Sequence, residues 1–430
     1  MTRRQLLMGV SIAAILLPLA GAVVMLLLPS RAMPADFLPA DRTIALFSQI
    51  HEIDRFPMLK TVPFTNTTVA VAFLDLGSGA IAGVLFEPAP FPSTLPFAIS
   101  VSDPRANMLL RNIQHPLSRD PSFRLLAPSK NFMRPWAYLH VPTFGTLFSL
   151  DRPVVYVPSK TGFDLSMGAK DAREYFSPLE MSPPRLFESP LFILHSSDAA
   201  AHFSLMTSFL NDEPSTVMES VLRTLLKATF GPDVSPAYDL LPLLEYETAL
   251  HVAEDPRTHA LQFVLIGSTA QSTEKSATID RIFQSMTREL RTIRHVSRTF
   301  DDKYVFRGVA ADESLLSRQS SLSGTWKIES VTQTETKQRV LLARSGNHFI
   351  LSNAPDAFAR ALAINTSEVR DSLEPLPASV GLMERSSGEQ FLKEHLPTLF
   401  AGHPLGTGTG KYIQWQLLRS GAKLTLRVKE

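Results

Sequence analysis

Short runs of apolar or alternating residues recur along the chain and end at prolines or polar turn residues. Runs of about four to eight such residues with these boundaries predict β-strands. They lie at Thr43–Phe47, Val69–Leu76, Ala82–Phe86, Phe97–Val101, Val154–Val157, Leu191–Leu194, Thr248–Val252, Leu261–Ile266, Val340–Ala343 and His348–Leu351. The pattern therefore predicts a protein built mainly from short strands.

The clearest alternation lies near the end of the chain. In Lys423–Lys429 the apolar residues hold every second position, and polar or charged residues hold the others. Tyr412–Leu417 alternates in the same way, and Ser420-Gly421 provides turn residues between the two segments. Together they predict a terminal antiparallel hairpin with one solvated face.

Helical periodicity is rarer than strand periodicity. Asp103-Pro104 predicts the capped start of a short helix that ends near His115, and Ser272–His295 predicts the longest helix. Shorter helical patterns occupy Ser215–Phe230, Pro355–Ala363 and Ser386–His395. Runs of antiparallel strands with helices packed on one face predict an α+β fold rather than a doubly wound α/β fold.

The N-terminal segment has the composition of a membrane anchor. No residue from Leu6 to Leu28 is charged, and about twenty apolar residues are enough for a helix to cross the hydrocarbon layer. Arg3 and Arg4 precede this run, so the positive-inside rule places the N-terminus in the cytoplasm and the following chain outside it. We therefore expect a single-pass protein of the cell membrane with an extracytoplasmic body.

Other interpretations of this segment remain open. Ala20-Gly21-Ala22 and Ser30-Arg31-Ala32 both fit the cleavage site of a signal peptide, and Arg3-Arg4 fits a twin-arginine export signal. Cleavage at either site would still leave the body outside the cytoplasm. A buried core helix is the remaining alternative.

Composition narrows the functional classes. The 430 residues include 42 Lys and Arg against 41 Asp and Glu, so bulk charge does not favour nucleic acid and we expect no nucleic-acid partner. The chain has no cysteine, which excludes disulfides, thiolate metal sites and a cysteine nucleophile. A hydrophobic content of 44% excludes wholesale disorder, and the length exceeds that of one ordinary domain.

Similar sequences recur within the chain. Phe192-Ile-Leu-His-Ser-Ser-Asp-Ala-Ala-Ala and Phe349-Ile-Leu-Ser-Asn-Ala-Pro-Asp-Ala-Phe both predict a buried strand, a polar turn and the start of a helix. The order strand, helix, several strands, helix occurs at about 95–176 and again at about 260–363. We therefore predict tandem related units, divided as a cytoplasmic stub with a transmembrane anchor at 1–32, a first α+β unit at 33–212, a second at 213–370, and a half-unit of a helix and a β-hairpin at 371–430.

Two stretches carry a resemblance to a known family. They are Leu38-Pro-Ala-Asp-Arg-Thr-Ile-Ala-Leu-Phe and Gly346-Asn-His-Phe-Ile-Leu-Ser-Asn-Ala-Pro-Asp-Ala-Phe-Ala-Arg-Ala-Leu. With the anchor before them, the chain resembles DUF3352, a family of bacterial membrane-anchored extracytoplasmic proteins of unknown function, over about 38–60 and 246–363. The resemblance implies a bacterial envelope protein. Its motifs are structural, so it implies no catalytic residue.

Three short motifs match those of penicillin-recognising serine enzymes. They are Ser272-Thr-Glu-Lys275, Ser129-Lys-Asn131 and Lys160-Thr-Gly162. In that chemistry the lysine accepts the proton of the serine one helical turn away, and the other two motifs line the cleft. Here the motifs occur in a permuted order, and three-residue patterns arise by chance. A serine hydrolase acting on envelope material is therefore the alternative hypothesis, not the leading one.

No other motif meets the requirements of a cofactor or metal site. Gly406–Lys411 lacks the first glycine and the final Ser or Thr of a phosphate-binding loop, and it leads into a predicted strand. The nearest histidine pairs, His195/His202 and His251/His259, do not have the i, i+4 spacing of a helical metal site. We therefore assign no catalytic, cofactor-binding or metal-binding residue.

Basic residues concentrate in two segments. They are Arg281, Arg288, Arg291, Arg294 and Arg298 in and after the longest predicted helix, and Lys411, Arg419, Lys423, Arg427 and Lys429 in the terminal hairpin. Complementation of the helix dipole and protection of a strand edge explain them, and a basic face toward anionic lipid or polymer is the alternative. We expect a binding or structural module of the envelope. Its expected partners are the bilayer, through Leu6–Leu28, and an envelope protein or anionic envelope polymer.

Overall fold

The computed structural model describes residues 32–50, 67–89, 97–128, 134–140, 152–168, 179, 185–202, 220, 223, 227, 229–231, 233–269, 272–300, 304–363, 377–387, 389–390, 410–420 and 422–429. The predicted anchor Leu6–Leu28 lies outside these ranges. Within them, no helix combines the length and the apolar character needed to span a membrane.

The chain divides into two compact units, Met1–Leu139 and His140–Glu430. The elements of the first unit are β1 (Thr43–Ser48), β2 (Ala70–Gly77), β3 (Ala80–Pro88), β4 (Phe97–Val101), α1 (Pro104–Arg111), α2 (Pro121–Leu126) and β5 (Trp136–Leu139), with short 3-10 turns at Pro34–Phe37 and Leu117–Arg119. Its strands form an antiparallel sheet in the order β5-β1-β2-β3-β4.

Local sequence determines where these elements begin and turn. The Asp103 carboxylate accepts a hydrogen bond from the backbone N–H of Arg105 at 2.8 Å and caps α1, as the Asp-Pro pair predicts. The Asp120 carboxylate caps α2 in the same way. Gly77 and Gly79 have φ angles of 83° and 77°, which glycine adopts without steric cost, and they turn β2 into β3.

The second unit contains a larger antiparallel sheet. Its elements are β6 (Val154–Ser159), β7 (Gly162–Gly168), β8 (Pro190–Ser196), β9 (Thr248–Glu254), β10 (Leu261–Ser268), α3 (Thr273–Glu289), β11 (Thr292–Phe300), β12 (Tyr304–Asp312), β13 (Leu316–Ser323), β14 (Trp326–Gln333), β15 (Arg339–Ser345), β16 (His348–Ser352), α4 (Pro355–Leu362), β17 (Ser379–Glu384), β18 (Tyr412–Ser420) and β19 (Lys423–Lys429). The sheet order is β6-β7-β19-β18-β17-β8-β9-β10-β16-β15-β14-β13, and β11 and β12 pair as a separate hairpin.

Helices cover both faces of this sheet, which corrects the expectation that they pack on one face. Ile282 of α3 packs in a core with Phe263 of β10, whereas Phe358 of α4 packs in another core with Val264 of β10. Successive residues of a strand point to opposite faces, so neighbours in sequence enter different cores. The apolar residues of β10 are consecutive rather than alternating, which suits a strand covered on both sides.

The longest helix is shorter than predicted. α3 ends at Glu289, and residues 292–295 of the predicted helix belong to β11. From Thr292 the sequence is rich in β-branched residues, which favour strands, and it pairs residue by residue with β12 as far as Phe300 opposite Tyr304. Arg294 and Arg298 therefore lie on a strand and not on the helix that was expected to carry Arg294.

The predicted strands are confirmed, each within a few residues, and the terminal hairpin is confirmed as β18–β19. Its surroundings differ from the expectation, because β18 pairs with β17 and β19 pairs with β7, which places the hairpin inside the sheet. Strands from 33–212, 213–370 and 371–430 thus share one sheet. The division into those segments rests on repetition, and it stays a prediction.

Two predicted helices fall largely outside the described residues. Of Ser215–Phe230, only a few positions near its end are described, and Gly231 follows with a φ of 98°, in agreement with its expected role as the stop. Of Ser386–His395, the described part begins one residue early, at Arg385 directly after β17. The short helix Pro355–Ala363 is confirmed as α4.

Candidate functional site

The Ser272 hydroxyl, the nucleophile of the hydrolase hypothesis, acts as a helix cap. Its Oγ accepts a hydrogen bond from the backbone N–H of Lys275 at 3.3 Å, at the start of α3. The Lys275 side chain has other partners, since Nζ donates to Glu245 Oε2 at 3.0 Å and lies 4.0 Å from the centroid of the Tyr246 ring. An amine engaged by a carboxylate and an aromatic face is not directed at the Ser272 hydroxyl.

Lys160, another residue of the hydrolase hypothesis, is not brought to Ser272. Lys160 lies in the turn between β6 and β7, and Asn131 lies outside the described residues. β7 is six strand positions from β10, the strand that leads into α3, which corresponds to roughly 29 Å of sheet. The glycine at position 162, the last residue of the Lys-Thr-Gly motif, is explained by packing, because a Cβ there would lie 2.0 Å from the carbonyl oxygen of Val428 in β19.

Lys275 belongs to a polar cluster where β8 ends and β9 begins. Beside β8, the Asp198 carboxylate accepts a hydrogen bond from the backbone N–H of Ala201 at 2.8 Å. Burial raises the pKa of Asp198, and the negative charge of Glu245 adds to this effect, while the backbone hydrogen bonds and Lys275 oppose it. The charged groups of this cluster thus bind one another or the backbone.

A buried histidine pair lies on β8 and β9. His195 and His251 are both 0% exposed, and they occupy diagonal positions on the sheet face that also carries Val264. His195 Nε2 lies 2.7 Å from Glu247 Oε1, and His195 Nδ1 and both ring nitrogens of His251 have no hydrogen-bonding partner. Burial lowers the pKa of His251 to about 4, and the nearby His195 contributes to this shift.

A third buried histidine, His202, follows His195 in the sequence and contacts Ser196. The Ser196 hydroxyl and His202 Nδ1 lie 2.6 Å apart, and both residues are buried. A serine–histidine contact is a possible nucleophile and base, but a buried hydroxyl gives a substrate no access. Among the described residues, no group of three or more His, Asp or Glu side chains has the geometry to hold a metal ion.

These histidines were not recognised as neighbours from the sequence. His195 and His202 are 7 residues apart, and His195 and His251 are 56 residues apart, and neither spacing belongs to a known motif. His195 and His251 are neighbours because β8 and β9 pair antiparallel, with Ile193 opposite His251. The available signal was weaker: a histidine inside each of two apolar strands. Such a residue must be neutral or partnered when buried.

At least five of the ten basic residues in the two basic segments form ion pairs with carboxylates. Arg281 pairs with Asp239 at 2.8 Å and Arg288 with Asp233 at 2.6 Å. The same holds for Arg291 with Glu313, Arg427 with Asp164 and Lys411 with Glu384. These contacts argue against a surface for anionic lipid or polymer. Protection of a strand edge does not explain the basic residues of the hairpin, because β18 and β19 are paired on both sides.

Among the strands of the second unit's sheet whose burial the structure describes, β13 is the most exposed. Every residue of β13 from Arg318 to Ser323 is exposed, and Leu322 is 79% exposed. Among the strands that the structure describes, β13 pairs with β14 alone. An edge strand of this kind presents unpaired backbone N–H and C=O groups, which makes it the candidate interaction surface of this unit.

Comparison of the chain with protein family models, with curated proteins and with solved structures finds no match in any of the three. The resemblance to DUF3352 stays a prediction, and the function has to be argued from the residues of the chain.

Proposed function

We propose that the chain is a single-pass membrane protein with a cytoplasmic N-terminus and an extracytoplasmic body that serves as a binding or structural module of the cell envelope. The topology is supported by the uncharged run Leu6–Leu28 behind Arg3 and Arg4. An envelope protein fits the partner better than an anionic polymer, because the arginines of α3 and of β19 already bind carboxylates.

The exposed edge of β13 carries the proposal of a binding role. Charged side chains in the described clusters form ion pairs within the chain, as Lys275 with Glu245 and His195 with Glu247 illustrate. The backbone of β13, in contrast, offers hydrogen bonds to another strand. A module that binds through this edge needs no catalytic constellation.

We include in this proposal the tandem related units. They are supported by β8 and β16, each of which ends in a short turn followed by helical residues, from Ala199 after β8 and from Pro355 after β16. In both strands a Phe-Ile-Leu sequence occupies the corresponding position. β8 and β16 also flank the β9–β10 hairpin on its two sides.

Cysteine labelling tests the topology, because the chain has no cysteine of its own. Ser323→Cys places a thiol on the exposed β13–β14 hairpin, and Thr2→Cys places one before the apolar run. In spheroplasts of a bacterial host that expresses the full chain, we expect a membrane-impermeant maleimide to label Ser323→Cys and to label Thr2→Cys only after lysis. The unsubstituted chain is the blank for both variants.

The opposite labelling pattern would overturn the proposed topology. Labelling of neither variant before lysis, with both labelled after it, would place the body in the cytoplasm and would equally overturn it. Cleavage of a signal peptide would show as loss of the Thr2 thiol from the mature protein while Ser323→Cys remains labelled from outside, which would overturn the anchor but keep the exported body.

A further inference from the structure

β13 is the end of the second unit's described sheet, and its pairing with β14 shows which of its backbone groups remain available. The backbone N–H of Thr334 donates to the carbonyl of Leu315 at 2.9 Å, and Leu315 and Thr334 are opposite one another when the β13–β14 register is extended. In an antiparallel pair, hydrogen-bonded positions alternate. Odd-numbered residues of β13 therefore bond to β14, and the N–H and C=O groups of Arg318, Ser320 and Leu322 point to the free edge.

The β13 edge lacks the features that normally prevent strand pairing. Its register with β14 runs from Leu316 to Ser323 without a bulge, and it contains no proline and no lysine. Arg318 is its only charged residue, and among the described residues Arg318 forms no ion pair. An edge so regular and so little charged is suited to receive another strand.

We propose that β13 pairs with β13 of a second copy of this chain, antiparallel and about a two-fold axis at Gln319. The proposal rests on the proposed function, because it names the partner of the binding module. Free-edge groups belong to even-numbered residues, so a symmetric pair must join even-numbered residues with each other. An axis at Gln319 meets this condition and places Arg318 opposite Ser320 and Leu316 opposite Leu322 of the other copy.

Side chains in this register are complementary. Leu322, 79% exposed in the single chain, would contact Leu316, which already packs against the core under α3. Arg318 of one copy would lie opposite Ser320 of the other copy. Within that other copy, Ser320 is opposite Glu329 of β14, so Arg318 and Glu329 would lie on the same face with only the small Ser320 side chain between them. No like charges face each other, and Gln319 meets its own copy across the axis. The match between Leu316 and Leu322 arises from pairing with a second copy of the same strand, and it favours that partner over an unrelated extended segment.

Symmetric disulfide formation tests the register. At a non-hydrogen-bonded antiparallel pair the Cα atoms are about 4.5 Å apart, within the range that a disulfide spans, so Gln319→Cys in the full chain should crosslink to itself under mild oxidation. Ser323→Cys is the matched control: it is exposed, on the same face of the same strand, and in the proposed dimer its two copies are roughly 27 Å apart. We expect Gln319→Cys to form covalent dimers at least about tenfold faster than Ser323→Cys at equal concentration.

Equal rates of crosslinking in the two variants, or no dimer from Gln319→Cys, would overturn the proposal, as would a crosslink of Gln319→Cys to a different protein in place of the dimer. Failure here leaves the maleimide labelling result untouched, so it can be distinguished from failure of the proposed topology.

A second variant removes the pairing without a cysteine. Ser320→Pro deletes an N–H that points to the free edge and is not used by β14, so the monomer should retain its fold. Light scattering of the full chain should change from a dimer mass to a monomer mass, with an unchanged circular dichroism spectrum. A dimer that persists in Ser320→Pro with an intact spectrum would overturn the proposal. Ser320→Ala, which keeps the backbone N–H at the same position, is the control that should stay dimeric.

Discussion

The centre of the large sheet and its β13 edge use the same antiparallel pairing but differ in what surrounds them. At the centre, helices cover both faces, and Phe263 and His251 are 1% and 0% exposed. At the edge every residue of β13 from Arg318 to Ser323 is exposed, and Leu322 is 79% exposed. Strand pairing satisfies the backbone on both sides of β10 but on only one side of β13, and at the centre the helices also remove side chains from water. The centre therefore holds the stability of the unit, while the edge is free to bind.

Truncation of Phe263 at the centre of the sheet should give the largest loss of stability among these substitutions. Phe263→Ala would leave a cavity beside Phe230, whose ring centroid is 5.1 Å from that of Phe263, and we expect the free energy of unfolding to fall by about 3–5 kcal/mol. Leu322→Ala at the edge should change it by less than about 0.5 kcal/mol. Urea unfolding followed by circular dichroism measures both, and similar losses would contradict the contrast.

Protonation of His251 at acid pH should lower the free energy of unfolding by somewhat less than Phe263→Ala does. The pKa of His251 is about 4 in the folded protein against an ordinary value of 6.5, so between these pH values the unfolded chain binds more protons. The free energy of unfolding should fall as the pH drops from about 6.5 to 4, by ~3 kcal/mol at most. His195 and Glu247 face His251 on the same side of β8 and β9, and the opposite residue Val264 is apolar.

His251→Leu should remove this part of the pH dependence, because no imidazole remains to be protonated. It also removes two buried nitrogens without partners, so stability at pH 7 should not decrease. His348→Gln is the control, since His348 is exposed on β16 and its replacement should leave the acid limb unchanged. An unaltered slope between pH 4 and 6.5 in His251→Leu would contradict the assignment.

Of the losses of stability expected at the centre of the sheet, the addition of a methyl group at Gly381 of β17 should give the smallest. Gly381 lies opposite Trp415 in the register, and a Cβ at Gly381 would lie 1.9 Å from the indole ring. Gly381→Ala should therefore force the ring to move, at a cost of about 1–3 kcal/mol. The double variant Gly381→Ala/Trp415→Leu should lose less than the sum of the single variants, as expected for residues in contact. Thermal unfolding compares the three, and simple additivity would contradict the contact.

Local sequence was sufficient for twelve strands and for most helix starts, but it did not predict β5, β7, β11–β14 or β17. The predicted strands were recognised by their own pattern of apolar residues, and Asp103 and Ser272 cap the helices that their sequences predict. The end of α3 could not be placed in this way, because residues 292–295 are compatible with helical spacing and become a strand only by pairing with β12.

The candidate sites could be predicted only in part. Ser272 and Lys275 were identified, but their side-chain partners, Glu245 in particular, come from another segment. The sequence positions of His195 and His251 fit no ligand spacing, and their proximity arises from the β8–β9 register. The free edge of β13 could not be foreseen, because the edge of a sheet depends on the order of all its strands.

By itself the sequence determined the α+β class, the twelve strands with a clear apolar pattern, the caps and the absence of thiol chemistry, since each depends on residues near one another in the chain or on composition alone. Tertiary structure alone decided that helices cover both faces of the sheet, that β19 pairs with β7, that the arginines have carboxylate partners and that β13 is left at an edge. Those features depend on which segments, distant in sequence, come together when apolar surface is buried from both sides, and no local pattern encodes that choice.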